Sequence, residues 1–325
     1  MRYLWLAILG SAAVADGTDL APQGAWSWHP GAENCTAETT RTEIRALDAR
    51  TYVLRQNPCV DYEANLVYLL LGSQRMLLID TGAVEDAAAA PLVREVQRIR
   101  QETGGNLPLL VVHTHGHFDH RAGDAAFAAL PDVQIAPHEG EAMRQFFGFD
   151  SGPRPLARLE LGDRELQVLP APGHHEDHVV FYDPRTGVLF TGDLLLPGRL
   201  LVDDLAAYRA SARRIADFVS QHDVAALMGS HIELDSAGNL FPSGATYHPD
   251  ERRTPLAAQD ARDLVAALDG FNGFYSAHRN FVVVDPLHNL MALAAGIAVV
   301  LSALGWLLRR WWKRRRRVRG GNADT

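Results

Sequence analysis

The chain has 325 residues and a mass of 35.7 kDa, room for one large α/β domain or two average ones and for a sizeable core. Its 47% hydrophobic and 22% charged residues exclude wholesale disorder, and two cysteines exclude a disulfide-dense scaffold and a Cys-ligated zinc finger. Of 31 basic residues all but Lys313 are arginine, so the main body offers no lysine for a Schiff base or a Walker-type phosphate loop. Eight of those cations crowd the end, from Arg309 to Arg319. Between residues 16 and 308, 22 basic residues face 38 acidic ones, a net charge of about −16 with histidine neutral. Such a body repels nucleic acid unless a basic stripe gathers somewhere, and none is visible, so no nucleic-acid partner is expected.

The chain starts with Met1-Arg2, an apolar stretch over residues 3–10 and a small-residue site at Ala13-Val14-Ala15. This pattern predicts a secretory signal peptide over residues 1–15, followed by an exported domain over residues 16–286. Cys35 and Cys59 are the candidate disulfide. Closing that loop is worth roughly 3 kcal/mol in the chain-entropy model, and the bond persists only in an oxidising compartment.

Strands are predicted over residues 51–56, 64–71 and 76–79, the last ending in Asp80-Thr81-Gly82. Residues 85–103 have helical spacing, with Leu92, Val96 and Ile99 on one face, and Gly104-Gly105 ends them. A short apolar strand over residues 109–112 runs straight into His113. A helix near residues 123–130 is followed by strands over 133–136, 164–169, 179–182 and 188–191. A long amphipathic helix over 204–222, a strand over 225–228 and a last soluble helix over 255–268 complete the body. Strands and helices mix throughout, which is an α/β (α+β) class.

Residues 290–308 carry no charge. At about 1.5 Å per residue they reach roughly 28 Å, close to the hydrocarbon thickness. A transmembrane helix is predicted over residues 287–308 and a basic tail over 309–325. The tail stays cytoplasmic by the positive-inside rule, leaving the body outside. The dominance of Arg over Lys and the high Ala content suggest a GC-rich bacterial genome. The expected address is therefore a bacterial inner membrane, crossed once, with the catalytic domain in the periplasm.

The densest chemical signal is Thr114-His115-Gly116-His117-Phe118-Asp119-His120, four potential metal ligands within six residues just past an apolar strand. Neutral imidazole and carboxylate suit zinc and other borderline ions, and no thiolate is near. Three further pieces repeat the logic: Pro172-Gly173-His174, Thr191-Gly192-Asp193 and Gly229-Ser230-His231. Each sets one potential ligand past a strand, beside a glycine that lets backbone approach closely.

With these residues in this order, and with Asp80-Thr81-Gly82 before them, the chain resembles the metallo-β-lactamase fold superfamily of metallo-hydrolases over residues 45–232. The resemblance implies a four-layer αββα sandwich with metals at one edge of its two sheets. It implies a first metal held by His115, His117 and His174, a second held by Asp119, His120 and His231, and Asp193 bridging both. Asp80 matches the family's aspartate that orients a ligand imidazole, and His178 falls where the family often has a further histidine, behind the ligands or in the substrate pocket. The implied cofactors are two zinc ions, with iron or manganese as alternatives. Asp193 is informative, because the β-lactamase branches tend to have Cys or Ser there and the glyoxalase II-like branches Asp.

The implied activity is hydrolysis of an ester, thioester, lactone or amide bond in a small-molecule substrate. Two ions lower the pKa of a shared water, the resulting hydroxide attacks, and Asp119 as catalytic residue orients it and passes a proton. The alternatives are a mononuclear iron persulfide dioxygenase, a phosphodiesterase, or a non-catalytic binding protein that keeps metal for stability. The lack of lysine weighs against the phosphodiesterase. Tyr62 and residues 57–61 are expected as a flap from their place before the first hairpin; His175, Glu176 and Asp177 form either the mouth of the site or a solvated loop, and Tyr247-His248 with His278-Arg279 fall in the divergent region after His231, to which the sequence assigns no role. His113, His138 and His222 are expected to be structural.

Overall fold

The computed structural model describes residues 26–86, 88, 91–105, 107–149 and 156–320; the predicted signal peptide lies outside them. Most of the strands fall into two large sheets. The first holds β1 (Thr42–Asp48), β2 (Thr51–Gln56), β3 (Leu66–Leu71), β4 (Met76–Ile79), β5 (Leu109–Val112) and β6 (Val133–Ile135), paired in that order. Its first four strands are antiparallel and its last three parallel. The chain then lays down β7 (Ala157–Glu160), β8 (Glu165–Pro170), β9 (Val179–Asp183) and β10 (Val188–Gly192), leaves through a short β11 (Arg199–Leu201), and returns as β12 (Ala226–Gly229). The second sheet runs β12-β10-β9-β8-β7.

Alternation fixes which face meets what. Val53, Tyr68 and Leu77 of the first sheet pack on Val168, Phe181 and Phe190 of the second, forming the central core. Val67, Leu69 and Leu78 face the other way, against α1 (Leu92–Ile99) and Phe127 of α3 (Asp124–Ala128). Val180, Leu189 and Leu227 likewise back onto Tyr208 and Ile215 of α5 (Leu205–Gln221) and Leu264 of α6 (Ala258–Asp269). The layers are therefore α-β-β-α. Two short helices complete the sandwich: α2 (Phe118–Arg121), which carries two of the predicted ligands, and α4 (Gly140–Phe147), which drops Met143 and Phe147 into the central core.

A buried ion pair anchors hydrogen bonds that cross between the sheets. Arg164 and Asp183 of the second sheet are both buried, Nε to Oδ1 at 3.1 Å. The same guanidinium donates across the interface to Thr51 Oγ1 and the Arg50 carbonyl, both at 2.8 Å. Every group in this network has partners, which a buried pair needs to offset its desolvation.

Several boundaries differ from those expected. The helix expected over 85–103 begins only at Leu92, behind Pro91, and continues through Arg100–Gly104 as a wider π-type turn. The strand expected from residue 64 starts at Leu66, because Ala64 has φ +49°. The helix expected from 255 starts at Ala258, and α5 is capped by Asp204, which accepts from the amides of Ala206 and Ala207. Cys35 and Cys59 are bonded, with Cα atoms 5.3 Å apart.

After α6 come β13 (Tyr275–Ala277), β14 (Val282–Val284) and the long α7 (Pro286–Gly320). The two strands join β11 in a separate sheet of order β11-β14-β13. Within α7, residues Pro286–Lys313 are long and apolar enough to cross a membrane, and none of that apolar surface is buried in the protein.

Removing the cross-sheet pin tests this packing. Arg164→Ala should cost about 3–5 kcal/mol, because Asp183 is then a buried unpaired charge. Urea denaturation measures it; a loss under about 1 kcal/mol would show that the pair does not hold the sheets together.

Candidate metal centre

Strand direction brings the candidate residues to one edge. β4 and β5 are parallel and deliver Asp80 and the His113–His120 run side by side. β8, β10 and β12 also point one way, and their ends lead to His174, Asp193 and His231. The sheets are zipped here: Val179 N donates to the Thr114 carbonyl and Leu66 N to the Ser230 carbonyl, both at 2.8 Å. Two glycines make the close approach possible. A Cβ at Gly192 (φ +53°) would stand 2.7 Å from His178 Nε2, and one at Gly173 (φ +139°) would stand 2.3 Å from the Cα of Tyr208.

The ligand atoms fall into two groups, each within 4.8 Å: His115, His117 and His174, and Asp119, His120, Asp193 and His231. In the first, His117 Nδ1 lies 2.9 Å from His115 Nε2 and 3.1 Å from His174 Nε2. In the second, Asp119 Oδ2 lies 3.0 Å from His120 Nε2 and 3.3 Å from His231 Nε2. Asp193 reaches both groups: Oδ2 is 3.5 Å from His174 Nε2 and from His120 Nε2, and Oδ1 is 3.4 Å from His231 Nε2.

Proton positions follow from the outer partners. His174 Nδ1 must donate to the Leu201 carbonyl at 3.0 Å, His231 Nδ1 to the Glu63 carbonyl at 2.8 Å, and His120 Nδ1 to Asp80 Oδ2 at 2.9 Å. Asp80 is itself held by the Thr114 amide at 2.8 Å and the Thr114 hydroxyl at 3.0 Å. The inner Nε2 atoms of the three rings therefore crowd into the same small space as the oxygens of Asp119 and Asp193. His120 Nε2 and Asp193 Oδ1 are buried with no hydrogen-bond partner, for all their proximity to each other's groups. Crowded acceptors facing one another need a cation between them.

Electrostatics agree with this donor set. Burial holds His115 well below the ordinary histidine pKa and His117 down to about 4, with His120 and His174 respectively adding to the shift. Both stay neutral, as a ligand must. Burial would push Asp119 up, but His120 and His231 outweigh it and hold the carboxylate ionised. Burial would likewise push His120 and His231 down; the surrounding carboxylates, Asp193 foremost, instead raise both well above the usual value. The carboxylates thus draw positive charge into the second group, which a bound metal ion would supply. The donor set of each group fits a metal ion.

Residues around the ligands have definite roles. His178 stacks on His115 with ring centroids 5.1 Å apart, and its Nε2 accepts the Asp193 amide at 3.2 Å; it supports ligands and stays out of the cavity. Asp177 accepts from Gly140 N at 2.6 Å and ties down the start of α4, so it is not at the mouth. His175 does flank the His115 and His117 rings. Tyr62 is exposed beside the cavity, and His248 lines it while stacked flat on Phe241. His278 and Arg279 lie in another groove with Asp260 and Asp263. His222 stacks on Phe218. His113, Asp124 and His138 form a third cluster, in which His113 Nε2 meets Asp124 Oδ1 at 2.8 Å.

A cavity of about 310 Å³ opens over the ligands, walled by Leu196, Arg199, Leu201, Ile232, Glu233 and Phe241. None of these six was visible in the sequence as a site residue. Nor were the Leu201 and Glu63 carbonyls, or Asn65, whose Nδ2 donates to Asp119 Oδ2 at 3.3 Å. A carbonyl belongs to every residue, so only the fold reveals which ones matter.

A family model of the metallo-beta-lactamase superfamily matches residues 61–246. The chain belongs to that superfamily. It is 27% identical to the acyl-coenzyme A thioesterase MBLAC2 of Gallus gallus over 213 residues, 56% of this chain and 77% of that protein. It is 34% identical to a hydroxyacylglutathione hydrolase of Anaeromyxobacter dehalogenans (strain 2CP-C) over 131 residues, 40% of this chain and 46% of that one. A metallo-beta-lactamase structure from Erythrobacter litoralis superposes with a TM-score of 0.50 at 15% identity, covering 72% of this chain and 99% of its own; this likeness concerns the fold alone.

Asp80 gives the sharpest test of the site's construction. Asp80→Asn should weaken metal binding about 10–100-fold through the mis-set His120 ring. Competition against a chromogenic chelator reads it, and unchanged affinity would show that Asp80 does not set the ligand.

Proposed function

We propose that the protein is a binuclear metal-dependent hydrolase that cleaves an ester or thioester. The observation that supports this best is Asp193, whose two oxygens face the three-histidine group and the Asp119, His120 and His231 group at once. His115, His117 and His174 would hold one ion, Asp119, His120 and His231 the other, and Asp193 both. Zinc suits the donor set, which has nitrogen and oxygen but no sulfur. When bound, the ions supply Lewis acidity and bring the pKa of a water toward neutrality. The names of the relatives, a coenzyme A thioesterase and a hydroxyacylglutathione hydrolase, favour acyl transfer to water over lactam or phosphodiester cleavage.

The chain's own groups do the remaining work. Asp119 is the catalytic carboxylate: it stays ionised, reaches the cavity, and is oriented by Asn65. It takes the proton of the attacking water and returns it to the leaving oxygen or sulfur. Leu196, Ile232 and Phe241 exclude bulk water from one side of the cavity.

We place the domain in the periplasm of a bacterial inner membrane, with α7 crossing once and the arginine-rich tail in the cytoplasm. Three features support this: the span's unburied apolar surface, the cations that follow it, and the Cys35–Cys59 bond.

A panel of ester, thioester, lactam and phosphodiester substrates, run with and without chelator, tests the activity. His115→Ala should lose bound metal and hydrolysis together. Asp119→Asn should lose about 10²–10⁴ in kcat. Turnover that survives metal removal contradicts the reading, and one iron per chain with oxygen uptake would replace it by the dioxygenase.

A further inference from the structure

The metal cavity and the membrane helix share one small sheet. Leu201 of β11 walls the cavity and, through its carbonyl, holds His174. It pairs with Val284 of β14, which pairs in turn with Tyr275 of β13. Directly paired residues present their side chains on one face. The opposite face is sealed, since Leu200 and Val283 are fully buried against the α5 layer. Leu201, Val284 and Tyr275 therefore form a row on the outer face, with Leu201 38% and Tyr275 50% exposed. At about 4.8 Å per strand the row spans roughly 10 Å.

That row ends at the membrane helix. Pro286 follows Val284 by two residues, about 7 Å of chain. Phe274, also exposed, is fixed to the first turn of α7: its carbonyl accepts from Asp285 N at 3.1 Å and from Asn289 Nδ2 at 2.9 Å. Exposed Phe274, Tyr275 and Leu287 thus collar the point where the span leaves the body, the residue types expected at a bilayer interface.

The cavity is poor in free positive charge. Its one arginine, Arg199, is engaged by Glu233 Oε1 at 2.9 Å and the Phe241 carbonyl at 2.6 Å. Glu63, Asp119, Asp193 and Glu233 line the same space. Among the described lining residues no unpaired Arg or Lys can grip a diphosphate. An apolar path from the bilayer to a cavity with this lining suits a greasy acyl chain on an uncharged carrier.

Building on the hydrolase reading above, we propose that the substrate is a membrane-resident amphiphile, a long-chain acyl ester or thioester with an uncharged carrier. Its chain lies along Leu201, Val284 and Tyr275 while its carbonyl reaches Asp119 and the two clusters that would hold the metals. Water adds across the acyl bond: the acyl carbon gains hydroxyl, the carrier oxygen or sulfur leaves and takes the proton, and no oxidant or co-reactant is needed.

The experiment uses full-length, zinc-loaded protein in phosphatidylcholine vesicles with two neutral probes, 4-nitrophenyl butyrate and 4-nitrophenyl palmitate. We expect kcat/KM for palmitate at least tenfold above butyrate. Leu201→Asp should cut that ratio tenfold or more; Tyr275→Asp, at an exposed site where folding is not at stake, should cut it at least threefold. Butyrate hydrolysis with a ratio near one, or a high ratio that neither variant lowers, overturns the membrane path while leaving the hydrolase reading intact. Hydrolysis of neither ester by the metal-loaded protein removes the hydrolase reading, and this inference with it.

Discussion

The carboxylate of Asp80 and the carbonyls of Glu63 and Leu201 each take the proton from the outer nitrogen of one imidazole. That choice turns the inner nitrogens of His120, His231 and His174 into acceptors, and aims them at Asp119 and Asp193, which accept as well. With the outer nitrogens committed, so many inner nitrogens and carboxylate oxygens in so small a space call for added positive charge. The carboxylates supply the pull: by themselves they raise the proton affinity of His120 and His231. Metal affinity, histidine tautomers and carboxylate ionisation are therefore one coupled property.

The rest of the fold serves that edge. Parallel pairing of β4 with β5 and of β10 with β12 aligns strand ends, and backbone bonds between the two sheets at Thr114 and Ser230 keep the halves from drifting apart. At the far side the Arg164 network couples the sheets again. The site is thus built on strands packed on both faces, where ligand atoms can be held to fractions of an ångström.

Much of this was legible in the sequence, and unevenly so. The buried strands β3, β4, β5, β9 and β10 stand out as unbroken apolar runs, because both of their faces meet packed layers. The edge strands β1 and β7 carry mostly half-buried or exposed side chains and left no pattern to read. The three-residue strands of the small sheet and the eight-residue α4 are too short for periodicity to register. All seven residues of the two clusters were visible because histidine and aspartate just past strand ends have no packing reason to be there. The cavity wall was not, since Leu196, Leu201 and Ile232 look in sequence like any other core residues.

The small sheet is where topology adds most to the motif reading. It places a cavity wall, an aromatic collar and the base of the apolar helix within a few residues of one another, although they are 85 positions apart in the chain between Leu201 and Pro286. On the proposed membrane span, proximity to the bilayer becomes part of the site's chemistry.

Elemental analysis of the full-length protein, alongside His174→Ala and His231→Ala, tests the central claim most directly. The account predicts two ions per native chain and about one in each variant, because each substitution removes a ligand from a different group. Native protein that binds no stoichiometric metal, or variants that both retain two ions, would contradict it.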